Sequence, residues 1–295
     1  MDTANMLRLI ALAAIWGGSF LFMRIAAPVF GPGILVELRV GMAAAFLWLV
    51  SRWLRRQAHL PSNWKHFLKI GLFNSALPFI FFAYAAQTLS ASLMSILNSA
   101  APIFGALLGA LWLRQPVGRS AALGLACGVA GVATLVGGGA AVRGEGWWSA
   151  VAAGLAAPLC YGIASVFAKQ SPSALTPLDN AHGSMWAAAL LVLPVALFMP
   201  MQATPVTRDW AALVALAVIC TGAAYLLYFR LIEDVGPMRA LSVTFLIPVF
   251  GVLWGVLLLD ETVGWNTLAG GALVLCGTAL ANGVVKLGRV KSAGN

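Results

Sequence analysis

Three ionisable side chains fall inside otherwise apolar runs of this chain: Glu37, Arg39 and His182. In a hydrocarbon environment such groups are costly and mark substrate, ion or proton pathways by default. Glu37 and Arg39 stand two residues apart, so a helix turns them to different faces. Each then needs a partner elsewhere or reaches toward the interface. Aligned between the two halves of the chain, Glu37 matches His182, a carboxyl–imidazole pair suited to carrying protons. The plainer use of both is interfacial anchoring or structural pairing.

A second set of residues is aromatic and hydroxylic. Trp16, Ser19, Phe20 and Met23 recur at i, i+3, i+4 and i+7, one face of a helix. Ser75, Phe79 and Phe82 form a similar stripe, as do Thr221, Tyr225 and Tyr228, while Tyr161 and Ser165 share a fourth face. Asn98 and Thr244 each stand four residues before a proline, Pro102 and Pro248. Converging, these positions would make a pocket with aromatic walls and a few amide and hydroxyl groups, suited to a small, partly apolar, zwitterionic or neutral molecule. Tyr225 and Tyr228 lie midway along an apolar run, where a phenol needs a partner. Taken singly, an aromatic residue here would as readily face lipid or sit at a membrane interface.

Bond-breaking chemistry has no visible apparatus. There is no His-Glu-x-x-His, no Asp-Asp-x-x-Asp and no nucleotide-binding loop, and His59, His66 and His182 are scattered. Cys127, Cys160, Cys220 and Cys276 fall in apolar runs without Cys-x-x-Cys spacing, so neither a metal site nor a disulfide framework is indicated. No cofactor is expected, and an intramembrane enzyme, the alternative from another class, lacks a catalytic set.

The elements that must position these residues follow from composition. Of 295 residues 61% are hydrophobic and 9% charged, against roughly a quarter charged in soluble domains. The solvent is therefore lipid, in which backbone groups must pair internally. The apolar runs are continuous rather than alternating, so the fold class is all-α. Ten runs are read, at roughly 7–27, 33–51, 67–86, 89–112, 120–139, 147–168, 180–199, 210–229, 238–259 and 265–285. The first has no cleavage signature and is read as a retained helix. Numbering loops from the N-terminus, one side collects Arg8, Arg52, Arg55, Arg56, Lys65, Lys69, Arg114, Arg119, Lys169, Arg230, Arg239, Lys286, Arg289 and Lys291. The other side has only Arg24, Arg143 and Arg208. Both termini are therefore expected in the cytoplasm of a multi-pass membrane protein. The net charge of +9 is absorbed by this placement and needs no nucleic acid.

The chain also repeats itself. Pro102, Phe104, Gly105, Leu107, Gly109, Leu111 and Gly118 recur as Pro248, Phe250, Gly251, Leu253, Gly255, Leu257 and Gly264, 146 residues later. The polar end differs, Arg114-Gln115 becoming Asp260-Glu261. Two repeats, 1–145 and 146–295, with five helices each, must enter the membrane from opposite faces. Inverted repeats give two mirror-related states, with substrate near the midplane where the halves meet. The paired prolines Pro102 and Pro248 then become candidate hinges, because each removes a helical hydrogen bond. Gly124, Gly128 and Gly131, with Gly270, Gly271, Gly277 and Ala281, permit close helix packing. Packing of the two halves within a monomer is expected, and a dimer interface is the other use.

Trp16-Gly-Gly-Ser-Phe20, Glu37-Leu-Arg39 and the paired Pro-x-Phe-Gly-x-Leu-x-Gly block ending in Asp260-Glu261 resemble the EamA type of the drug/metabolite transporter superfamily. One unit covers about 7–137 and another about 149–283. The resemblance implies ten helices, cytoplasmic termini and export of small metabolites. Within the family the chain is most similar to bacterial aromatic amino-acid exporters, which implies amino-acid substrates and a place in the bacterial inner membrane. A multidrug or lipid exporter of the same fold is the alternative. Arg114-Gln115-Pro116 departs from the Glu pair common at the end of the family's first unit, which puts any shared role of those acids in question.

Overall fold

A computed structural model describes residues 2–54, 63–112, 118–137, 144–168 and 175–282. Among these there is no strand. Arg114 and Gln115, and the loop cations Arg55, Arg56, Arg143, Lys169, Lys286, Arg289 and Lys291, lie outside the described residues, as do His59 and the ends of the runs expected at 120–139 and 265–285.

The first element, α1 (Thr3–Trp53), runs for 51 residues. A straight helix of that length would measure roughly 77 Å, more than twice the thickness of a bilayer's hydrocarbon core. It does not run straight. Gly31 leaves helical geometry at φ 71° and ψ 159°, between Pro28 and Pro32, a conformation that glycine adopts without a Cβ penalty. The chain turns back there, as one contact demonstrates: Arg39 Nη1 lies 3.6 Å from Met23 Sδ, although sixteen residues separate them. In one continuous helix that separation would be about 24 Å. α1 is thus a hairpin of two limbs, 3–30 and 32–53.

The remaining elements are α2 (Trp64–Gly71), α3 (Leu77–Ala85), α4 (Ala91–Asn98), α5 (Ala101–Trp112), α6 (Arg119–Gly137), α7 (Trp147–Ala168), α8 (Pro177–Phe198), α9 (Thr207–Val214), α10 (Ala224–Val235), α11 (Pro237–Ala240), α12 (Val243–Leu259) and α13 (Trp265–Ala281). Among the described residues seven helical runs, α1 counted as one, are long and apolar enough to cross a membrane; α12 and α13 are shorter apolar helices. Among the described residues two π-helical segments interrupt the series: Leu72–Ala76 joins α2 to α3, and Ala215–Ala223 joins α9 to α10. They occupy corresponding places in the two halves of the sequence. π segments inside helices widen one turn and recur at functional sites.

Helix starts follow local chemistry. Ser90 Oγ accepts from Leu93 N at the start of α4, and Thr176 and Asp179 form a reciprocal capping box at α8. The break between α4 and α5 falls just before Pro102, whose ring without an N–H cannot continue the ladder, whereas Pro248 lies inside α12.

The α1 hairpin runs through the middle of the bundle, packed against α3, α8, α9, α10 and α12. Phe30, Leu35, Leu47, Met94, Leu97, Met185 and Leu216 are fully buried around it. The outside is apolar as well: Trp53, Leu197, Phe198 and Trp265 are exposed, as side chains facing lipid and its interfaces would be. Two close approaches occur at matching positions. A methyl built on Gly17 would lie 2.7 Å from Phe250 Cβ and 2.8 Å from Gly251 N; one on Gly162 would lie 3.0 Å from Phe104 Cβ and 3.0 Å from Gly105 N. The expected glycine faces meet each other within the chain. A methyl on Gly131 would lie 2.7 Å from Val274 N, and one on Gly277 would lie 2.6 Å from Gly124 O, so α6 and α13 pack backbone to backbone.

Candidate functional site

The middle of the bundle holds a cavity of about 800 Å³. Trp16, Ser19 and Phe20 line it from the first limb of α1, and Phe79 and Phe82 from α3. Asn98 and Pro102 come from α4 and α5, Tyr161 and Ser165 from α7, and Thr221, Tyr225, Tyr228 and Thr244 from the π segment, α10 and α12. All but one of the residues expected at a pocket thus surround a single space. The aromatic rings lock one another: Phe20 meets Phe82 edge-on at 5.3 Å, Trp16 meets Tyr228 at 5.2 Å, and Tyr225 stacks on Phe229 at 5.8 Å.

The exception, Ser75, is fully buried and does not line the cavity. Its neighbour Asn74 does, donating to the Tyr225 hydroxyl at 3.4 Å. The cause is the π segment at Leu72–Ala76. A stripe drawn at 3.6 residues per turn through Phe82 and Phe79 reaches residue 75, but the residue added by a π turn shifts everything before it by one place. Asn74 takes the position that periodicity assigned to Ser75.

Pro248 is buried within α12 and, unlike Pro102, does not reach the cavity. Neither do Glu37 and His182, and no ion pair or hydrogen bond joins them. His182 is buried and accepts from Trp186 Nε1 at 2.9 Å. The two groups therefore do not form a direct carboxyl–imidazole relay in this structure.

Arg39 is the residue whose placement periodicity did not reveal. It is only 5% exposed, yet it lines the cavity. Its Nε donates to Thr221 Oγ1 at 3.0 Å, and its guanidinium carbon lies 3.6 Å from the centre of the Phe79 ring. Thr221 in turn donates to Leu216 O at 2.8 Å, within the second π segment. The signal in the sequence was the cost of any arginine in an apolar run; its direction came from the fold-back at Gly31.

The cavity reaches one end of the bundle. There it is lined by Ala121 and Leu125 of α6 and by Asn282 beyond α13, and at that end Arg8 pairs with Asp234, which also pairs with Arg230 at 3.4 Å. The other end is closed by polar contacts. Glu261, just past α12, accepts from Ala91 N at 2.6 Å, Ser92 N at 3.0 Å and Ser92 Oγ at 2.6 Å, capping the first turn of α4. Arg24 donates to the carbonyls of Ala86 and Gln87 at 2.7 and 3.0 Å, and Gln87 donates to Gln202 at 3.0 Å. Beyond this layer sits a second hollow of about 480 Å³, lined by Arg24, Thr88, Ser90, Arg208, Asp209 and Glu261 among others. It shares no lining residue with the first.

Among the described residues no cluster of His, Cys, Asp or Glu is arranged to hold a metal ion. The arrangement offers an aromatic-walled space with a few amide and hydroxyl groups and one guanidinium.

The chain is similar to other proteins over nearly its whole length. It is 22% identical over 278 residues to the uncharacterized transporter YoaV of Bacillus subtilis, covering 92% of this chain and 94% of that one. It is 26% identical over 287 residues to a WAT1-related chloroplast protein of Arabidopsis thaliana, covering 90% of this chain and 66% of that one. A solved crystal structure shares the fold with a TM-score of 0.65 at 19% identity, covering 95% of this chain and 97% of that chain. The profile of the EamA-like transporter family matches twice in succession, at residues 4–137 and 148–283. The chain belongs to the EamA-like transporter family.

Proposed function

We propose that this transporter is a secondary exporter that moves small organic solutes, amino acids including aromatic ones, by alternating access through the central cavity. The observation that carries the reading is the cavity itself. Matching segments of both halves build it, it opens at one end, and a capped helix start closes the other. Two states related by exchange of the halves would open it alternately to either side.

In this reading the two limbs of α1, the runs α2–α3, α4–α5 and α9–α10, and the helices α6, α7, α8, α12 and α13 make ten spans. Five per half force the second repeat, 146–295, to insert inverted relative to 1–145. The matched close approaches at Gly17 and Gly162 support that equivalence. The loop-by-loop count of Lys and Arg supports a cytoplasmic location for both termini and for the end of the bundle that holds Arg8, Arg119 and Arg230, in a bacterial inner membrane. The cavity then faces the cytoplasm, as loading for export requires. The internal packing of α6 on α13 supports a monomer.

The test is flux in proteoliposomes, comparing tryptophan, other amino acids and a cationic dye, with and without a pH gradient. Saturable amino-acid flux supports the reading. Robust dye flux with no saturable amino-acid flux replaces it with a multidrug exporter.

A further inference from the structure

Among the described residues that line the cavity, Arg39 alone is charged. Among the described residues Arg39 makes no ion pair, and no Asp or Glu lines the cavity. Removing a cation from water without a countercharge costs several kcal/mol, so a fold retains one where it meets a ligand or a pathway. Arg39 is also held in one orientation. Phe79 covers its plane at 3.6 Å, Nε is engaged by Thr221 Oγ1 at 3.0 Å, and Nη1 touches Met23 Sδ at 3.6 Å. A guanidinium carries five N–H donors, and these contacts use two. Nη2 makes no hydrogen bond, yet it is not among the buried polar atoms left without a partner. It is therefore open to the cavity. A guanidinium fixed by one edge and one face presents its remaining donors as a fork that fits a carboxylate.

We infer that Arg39 is the carboxylate-recognising group of the cavity, so that the transported solute is a small organic acid with an apolar or aromatic body. The inference rests on the transport reading above and narrows it. The same wall ranks the acids. An amino acid brings an ammonium that no carboxylate here would meet, leaving it only the Asn74 and Asn98 amides, hydroxyls and ring faces. The matching acid without the ammonium pairs with Arg39 and leaves nothing unpaired. The order follows: 3-phenylpropanoate ahead of phenylalanine, and both ahead of 3-phenylpropanamide and phenethylamine.

The experiment measures binding of those four compounds to the purified full chain by calorimetry, and their flux in proteoliposomes. The expected result is that 3-phenylpropanoate binds at least about tenfold tighter than its amide, one hydrogen-bonded charge pair in affinity. Arg39→Met should abolish that preference, and Arg39→Lys should keep the charge with a reduced preference, because a point charge lacks the fork. Equal binding of acid and amide by the unaltered protein overturns the inference without reference to any variant. So does an acid-over-amide ratio unchanged in a folded Arg39→Met, or displacement of the acid by equimolar chloride. Binding of the acid through Arg39 with no flux of any compound leaves recognition standing and removes the transport reading. Saturable amide flux independent of Arg39 does the reverse.

Discussion

Removing the Glu261 carboxylate should unseal the closed end. It accepts three hydrogen bonds from the first turn of α4, at 2.6, 3.0 and 2.6 Å, and each bond to a charged acceptor is worth about 1.5–3 kcal/mol. Attraction to a helix N-terminus adds about 0.3–1 kcal/mol. The site is half-buried, so water takes over much of this when the group is gone, and bonds sharing one acceptor do not add in full. A net loss of about 2–3 kcal/mol is expected, or roughly 30- to 150-fold in the equilibrium between the two states. The shift has one direction, because the contact exists only while the end of α12 meets the start of α4. A reporter is available in Ser165, which is exposed to the cavity. With Cys127, Cys160, Cys220 and Cys276 replaced by alanine, Ser165→Cys should react with a membrane-impermeant maleimide from the cytoplasmic face alone. Adding Glu261→Ala should raise labelling from the outer face by one to two orders of magnitude, with Glu261→Gln intermediate. An unchanged ratio of labelling from the two faces, in a variant that folds and inserts normally, would refute the clamp.

Further outcomes follow from the same geometry. Gly17→Ala must displace backbone at 2.8 Å, whereas Gly162→Ala meets its neighbours at 3.0 Å. Overpacking costs about 1–3 kcal/mol, so both should lower the melting temperature in detergent, Gly17→Ala more; the opposite order would show that the two approaches respond differently. Trp16→Ala and Tyr225→Ala each break an aromatic wall contact and should raise KM for transport several-fold, and normal kinetics in a folded variant would remove those residues from the binding wall. Glu37→Gln and His182→Ala test proton coupling. If either group carries protons, the response of flux to a pH gradient falls while flux without a gradient persists; an intact response in both variants ends that role.

Much of this molecule was legible in its residues. Hydropathy decided the solvent, because a chain this apolar cannot hide its surface in water. The recurrence of Pro102 and Phe104 as Pro248 and Phe250 decided that it is built twice. Helical phase found most of the cavity wall, since residues such as Trp16, Ser19 and Phe20 share a face wherever a helix stays regular. Phase failed where regularity did: the π segment at Leu72–Ala76 moved Asn74 into the place expected for Ser75. Other features had no local signal. Glu261 lies 170 positions from Ala91, and Arg39 lies 182 from Thr221, separations that no periodicity encodes. The composition could say that an arginine in hydrocarbon needs a reason, and only the fold-back at Gly31 could decide that it faces the cavity. Local energetics fix which helices form and which of their faces are apolar, but the partners of a buried charge depend on how those helices are brought together.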